Sequence, residues 1–209
     1  EGASVTCTWT NTRHMGMLEI IKDVEGDVTG TTNWSFAVSG PTPSTQNLAV
    51  VDDGQKSTGE LPVMTVGYTL VESGTDQALF NTSWACTIDG AAGPSGTGLT
   101  ASEIPVARDS DVVCTFTNTR KTARLTINKL AVGGDGTFGF TASGATLPAT
   151  FDIATTGGNG TRDFGQLPTG EYVITESGPP SGWDFNSISC SVGEATPPST
   201  YTVNGQGVT

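Results

Sequence analysis

The chain has 209 residues, room for two modules of about 100 residues, each with a modest core of its own. Only 14% of them are charged, and 21 acids against 9 bases leave a net charge of -12, which excludes nucleic acid and anionic membrane surfaces as natural partners. No apolar run reaches the roughly eighteen residues of a bilayer-spanning helix, and the N-terminus lacks the basic, apolar and small-residue succession of a signal peptide, so the chain reads as a processed or excised piece of an ectodomain.

Twenty-eight glycines, eleven prolines and a scatter of Thr, Ser, Val and Asn predict short strands joined by turns, with helix nearly absent. The first predicted strand, Ser4 to Arg13, carries Cys7, Trp9 and Asn11. Next come a strand with Leu18, Ile20 and Lys22, one over Ser35 to Gly40, and one with Tyr68, Leu70 and Glu72. Runs over Asn81 to Ile88 and Val112 to Thr117 follow, with Cys86 and Cys114 near their ends and Asn118 just beyond. The order then repeats through Leu125, Ile127 and Lys129, Gly139 to Gly144, and Tyr172, Ile174 and Glu176, down to Cys190.

The repetition is explicit. Cys7-Thr-Trp-Thr-Asn-Thr-Arg13 recurs as Cys114-Thr-Phe-Thr-Asn-Thr-Arg120 at a shift of 107, as does Leu18-x-Ile20-x-Lys22 in Leu125-x-Ile127-x-Lys129. Tyr68-Thr-Leu-Val-Glu-Ser-Gly74 recurs as Tyr172-Val-Ile-Thr-Glu-Ser-Gly178 at a shift of 104, which also separates Cys86 from Cys190. Ordered matches with small indels mean two copies of one fold. The expected division is an orphan closing strand at 1-13, a first β-sandwich at 14-120, and a second at 121-209 without a closing strand of its own.

Residues two apart on a strand share a face. Lys22 and Lys129 therefore travel with apolar residues, as do Glu72, Glu176, Asn118 and Asn11. Burial favours the neutral amine of a lysine, a nucleophile, and the protonated form of a carboxyl, which can relay a proton to departing ammonia. The product of such a set is a Lys–Asn isopeptide bond; the alternative is a buried Lys–Glu ion pair with Asn capping a turn.

The inward Lys, the Tyr-x-[Leu/Ile]-x-Glu-Ser-Gly motif and the closing Phe-Thr-Asn-Thr resemble the collagen-adhesin B-type domains, SpaA-like and prealbumin-like in fold, of bacterial surface proteins and pili. That resemblance implies an all-β chain of two tandem immunoglobulin-like sandwiches. It also implies a Lys22–Asn118 crosslink with Glu72 as catalyst, and in the second module Lys129 and Glu176 with an Asn at the Asn11 position. The cysteines beside the closing strand depart from the family pattern.

Four Cys without a C-x-x-C pair and a single His exclude a zinc site of usual spacing and point to an oxidising compartment. Cys86 and Cys114 are expected to form a hairpin disulfide, whereas the repeat assigns Cys190 to the Cys7 position. A strand at 4–13 entering a neighbour's second module would propagate an open filament. An equally available reading is a piece cut from a longer array of the same modules.

Asp23 to Asp27 and Gly133 to Gly136 are acidic or Gly-rich turns where calcium is the alternative, but neither has the full spacing of a calcium loop, so solvated turns are expected, with no metal or cofactor. Asn33, Asn81 and Asn159 fit the glycosylation pattern and read as surface turns, His14 as an exposed linker residue, and Trp34, Trp84 and Trp183 as packing residues. No catalytic triad, paired-carboxylate or phosphate-loop pattern appears, so the only chemistry expected is the protein's own crosslinking. The leading expectation is a structural subunit or stalk segment of an extracellular bacterial filament or adhesin, its partners copies of itself or adjacent repeats. A module binding a cell-surface ligand through its turns is the alternative.

Overall fold

The computed structural model describes residues 2–26, 33–40, 46–51, 54–64, 66–193 and 199–209. Strands and turns make up most of these residues, with one 3-10 turn at Gln77–Leu79 and no regular structure at 2–14 and 183–193, and the chain divides into two compact units. One unit holds Glu1–Glu25 and continues to Thr119; the other holds Arg120–Thr209 and takes in Gly26. Both are prealbumin-like β-sandwiches, as the resemblance implies.

In the first unit, β1 (Met15–Glu25), β4 (Gln55–Pro62), β6 (Phe80–Ile88), β7 (Ala91–Thr97) and β9 (Asp111–Arg120) form one sheet in the order β4-β1-β9-β6-β7. The second sheet, ordered β3-β2-β5-β8, holds β2 (Trp34–Ser39), β3 (Gln46–Val50), β5 (Tyr68–Gly74) and β8 (Thr100–Ile104). Alternation along each strand sends one face inward, and the two inner faces meet in a core of Leu18, Ile20, Trp34, Phe36, Tyr68, Leu70 and Phe116. β9 is central: it runs parallel to β1, pairing Leu18 with Val112, Ile20 with Cys114, Lys22 with Phe116 and Val24 with Asn118.

The repeated Gly after Ser39 and Ser143 has a steric reason. A β-carbon on Gly40 would lie 2.6 Å from the Tyr68 ring, and one on Gly144 would lie 2.4 Å from the Tyr172 ring. Those tyrosines donate their hydroxyls to the carbonyls of Pro62 and Pro168, so each hydroxyl keeps a partner as its ring packs inward.

The second unit reproduces this plan with parts of one sheet absent among the described residues. β11 (Thr137–Ser143), β12 (Thr150–Ala154), β14 (Val173–Glu176), β15 (Val203–Asn204) and β16 (Gly207–Val208) form a sheet ordered β12-β11-β14-β16-β15. β10 (Thr122–Leu130) and β13 (Asn159–Pro168) form a two-stranded ladder. β10 is the equivalent of β1, yet among the described residues its sole ladder partner is β13, with no strand in the place that β9 takes beside β1. Leu18 and Ile20 are fully buried, whereas their equivalents Leu125 and Ile127 are only half-buried. Residues 2–13 form no strand and are exposed, Val5 at 84% and Trp9 at 83%.

Cys86 and Cys114 form a disulfide. It is not the hairpin link expected from sequence: β7 and β8 intervene, and the bond joins β6 and β9 as neighbours in the sheet. The two runs looked successive only because short Gly-rich strands between them carry little apolar signal. With a separation of 28 residues, its loss is expected to destabilise the first unit by about 3 kcal/mol. A Cys86→Ala/Cys114→Ala variant is expected to melt roughly 12–24 °C lower by scanning calorimetry. An unchanged melting temperature would show that the fold does not depend on it.

Trp34 is fully buried, Trp84 packs on Phe116, and Trp183 meets Phe138 edge-on at 5.3 Å. Asn81 and Asn159 lie on strands rather than turns, and Asn33 immediately precedes β2. His14 is exposed, and its carbonyl accepts from Val63 N–H. Asp135 accepts backbone N–H bonds from Gly157 and Gly158 at 3.1 and 2.7 Å, which hold its carboxyl below the usual range and tie one turn to the next. Asp27, in the other acidic turn, lies outside the described residues.

Candidate crosslinking site

Three strands deliver the first site. β1 brings Lys22, β5 brings Glu72 and β9 brings Asn118, the Lys and Asn from neighbouring strands of one sheet and the Glu from the sheet opposite. All three are buried to within 1% of complete. The alternation that buries Leu18 and Ile20 also buries Lys22, because a strand cannot turn one residue of a face outward without breaking the pleat.

Glu72 Oε1 receives both partners. Lys22 Nζ lies 3.4 Å from it, and Asn118 Nδ2 donates to it at 3.2 Å. Lys22 Nζ also donates to the carbonyls of Asp23 and Phe116, at 2.8 and 3.0 Å. The Trp34 ring closes the pocket, its centroid 4.8 Å from that nitrogen. A side chain on Gly74 would collide with Trp34, at 2.4 Å from its ring, so the Gly of the Glu-Ser-Gly motif makes room for this lid. Two buried oxygens, Glu72 Oε2 and Asn118 Oδ1, have no hydrogen-bond partner among the described residues, a cost of about 1–3 kcal/mol each.

Burial raises the Glu72 pKa above its ordinary 4.5, against the opposing pull of Lys22 and of the bond from Asn118. Because the folded value is raised, protonating Glu72 favours the fold. That contribution is complete below the unfolded pKa and is lost as pH rises through the folded one. In an Asn118→Ala background, which leaves the site open, the melting temperature is therefore expected to rise on acidification more steeply than in Asn118→Ala/Glu72→Gln. Parallel curves in the two backgrounds would assign the acid dependence to the other carboxylates.

The second site is incomplete. Lys129 Nζ lies 2.7 Å from Glu176 Oε1 and 4.2 Å from the Phe138 ring centroid, so Phe138 takes the place of Trp34. Lys129 keeps 17% of its side chain exposed and Glu176 keeps 6%, against none for Lys22 and Glu72. Among the described residues no carboxamide is bonded to this pair; Asn11, Cys7 and Cys190 are where the repeat places them in sequence, but Asn11 and Cys7 are exposed and both cysteines are free thiols. Sequence reasoning favoured core packing for Trp34 over ligand binding, and did not place it at the lysine. The aromatic at the same shift, Phe138, was the available sign that a ring belongs over each lysine.

Two models described as prealbumin-like fold domains match, both of SpaA type, one over residues 14–116 and the other over 125–209. The chain belongs to the SpaA-type prealbumin-like family. No curated protein matches it significantly.

Among solved structures, this SpaA-type chain is similar to the major pilin of Streptococcus pyogenes, at 18% identity over 51% of this chain and 48% of the pilin, with a TM-score of 0.32. An alanine variant of that pilin gives a TM-score of 0.34 at the same identity and coverage. The TIE protein of Bacillus anthracis matches at 20% identity and a TM-score of 0.45, over 84% of this chain and 30% of that protein. The SpaA-type chain thus spans about half the length of the pilin chains and under a third of the TIE protein. No helix among the described residues is long and apolar enough to cross a membrane.

Proposed function

We propose that this chain is a structural subunit or stalk segment of an extracellular bacterial filament or adhesin, its first module locked by a Lys22–Asn118 isopeptide bond. The observation that carries this reading is the shared Glu72 oxygen in a sealed pocket, with Lys22 and Asn118 both bound to it. Proton transfer from the Lys22 ammonium to Glu72 leaves a neutral amine, favoured where both charges are desolvated. Lys22 Nζ attacks Asn118 Cγ, Glu72 passes protons to the carboxamide, the Cγ–Nδ2 bond breaks, and ammonia leaves. The crosslink removes a buried ammonium and returns Glu72 as a neutral acid.

The second module takes the same chemistry in trans. A strand of residues 4–13 from another copy supplies Asn11 to Lys129 and Glu176, and Cys7 to Cys190. The two thiols form their disulfide by passing two electrons and two protons to a small-molecule disulfide. Among the described residues one edge of β10 is unpaired and its apolar face half-buried, and these are what an added strand covers. Head-to-tail addition is heterologous and yields a filament. The test is the mass of the reduced, denatured chain together with its gel pattern: one ammonia lost per bond formed supports the reading, and full sequence mass in every species sinks it.

A further inference from the structure

We infer that the Cys86–Cys114 disulfide positions Asn118 for the crosslinking step, so that the Lys22–Asn118 bond forms rapidly only in chains that have first been oxidised. This rests on the isopeptide reading above and adds a redox condition to it.

The β1–β9 ladder makes register decisive. Lys22 stands opposite Phe116 and Asn118 opposite Val24, so the reacting pair is staggered by two residues and meets only at Glu72. A slip of β9 by one residue would turn Asn118 out of the core, and a slip by two would keep its face but carry it about 7 Å along the strand. Either removes the carboxamide from the lysine, and a misplacement of about 1 Å already costs a reaction on the order of a hundredfold. The ladder itself is parallel, the slightly weaker of the two pairings per residue.

What fixes β9 lies on its other side. Cys86 is bonded to Cys114 and Trp84 meets Phe116 at 6.5 Å, so the contacts step down β6 as they step up β9 toward Asn118. Asp89 and Asp111 follow the same register beyond the disulfide: Asp89 N–H donates to the Asp111 carbonyl and Asp111 N–H to the Asp89 carboxylate, both at 2.8 Å. Those two residues are exposed, where water competes for the bonds, whereas Cys114 and Cys86 are buried. A slip by two would part the cysteine Cα atoms, 4.0 Å apart, to about 8 Å, beyond the reach of a disulfide. The bond therefore forbids the slipped registers and holds Asn118, four residues on and on the same inward face, beside Lys22 and Glu72. The sequence couples the two groups twice, since Cys7 precedes Asn11 by the same four residues.

In forming the bond, the two thiols pass two electrons and two protons to a small-molecule disulfide, which leaves as two thiols. Crosslinking then follows oxidation, and a chain still in a reducing compartment stays uncrosslinked and able to unfold.

The test starts from uncrosslinked full chain carrying Cys7→Ser and Cys190→Ser, taken reduced and denatured from inclusion bodies and refolded with oxidised or reduced glutathione. Loss of ammonia is timed by intact mass at a temperature where tryptophan fluorescence shows both samples folded. The oxidised chain is expected to crosslink about ten- to a hundredfold faster. Oxidised glutathione added midway to the reduced sample is expected to raise its rate to that of the oxidised one, and Cys86→Val/Cys114→Val to stay slow under either condition. A disulfide that only stabilises the fold would leave folded molecules reacting alike, so equal rates overturn the positioning role and leave the isopeptide bond standing. No loss of ammonia from either sample overturns the bond and the positioning role with it.

Discussion

Boiled, reduced and weighed, monomeric chain is expected to be lighter than its sequence by one ammonia, and the deficit is expected to vanish in Lys22→Ala, Asn118→Ala and Glu72→Ala. The first two remove a reacting atom. Glu72→Ala keeps both and removes the group that holds them and moves the proton, so it separates catalysis from mere proximity. Glu72→Gln is the finer version, because a carboxamide still bonds but cannot shuttle a proton.

The proposed crosslink would tie positions 22 and 118, almost the whole first module, whereas the disulfide spans only 28 residues inside that loop. On the chain-entropy argument a loop of nearly a hundred residues is worth about 4–5 kcal/mol, so Asn118→Ala is expected to melt roughly 16–40 °C below the parent. A normal mass deficit in Glu72→Ala would remove Glu72 from the chemistry. Full mass in the parent would return Lys22 and Glu72 to a buried ion pair, of little net value to stability.

At high concentration the chain is expected to give a ladder of multimers that survives boiling with detergent and reductant, and Lys129→Ala is expected to reduce that ladder to monomer. The magnitudes explain why a covalent step is required. Burying Val5 and Trp9 contributes about 1.5–3 kcal/mol or more each, while ordering ten strand residues costs on the order of 1–2 kcal/mol apiece. The ordering cost exceeds that burial, so the uncrosslinked contact is expected to be reversible on dilution. Cys7→Ser is expected to leave the reduced ladder in place, since the isopeptide bond alone suffices once formed, and to slow its appearance. A ladder retained in Lys129→Ala would place the intermolecular bond elsewhere.

Much of this protein was legible in its residues. The period-two alternation around Leu18, Ile20 and Lys22 determined the all-β fold and which polar groups share the apolar face, because pleating fixes side-chain parity whatever the strand pairs with. The repeated motifs determined that there are two copies of one fold.

Parity does not say which faces meet. That Lys22 and Asn118 stand on adjacent parallel strands while Glu72 reaches them from the opposing sheet is a product of topology. So is the placement of Trp34 over the lysine, and so is the link from Cys86 to Cys114 across sheet neighbours rather than a hairpin. Among the described residues β10 pairs only with β13, and packing shows what accompanies that: the Leu, Ile and Lys that are buried where β1 adjoins β9 in one unit are partly exposed in the other. Burial belongs to the assembled sheet, and a strand's own residues determine only the face that they offer to it.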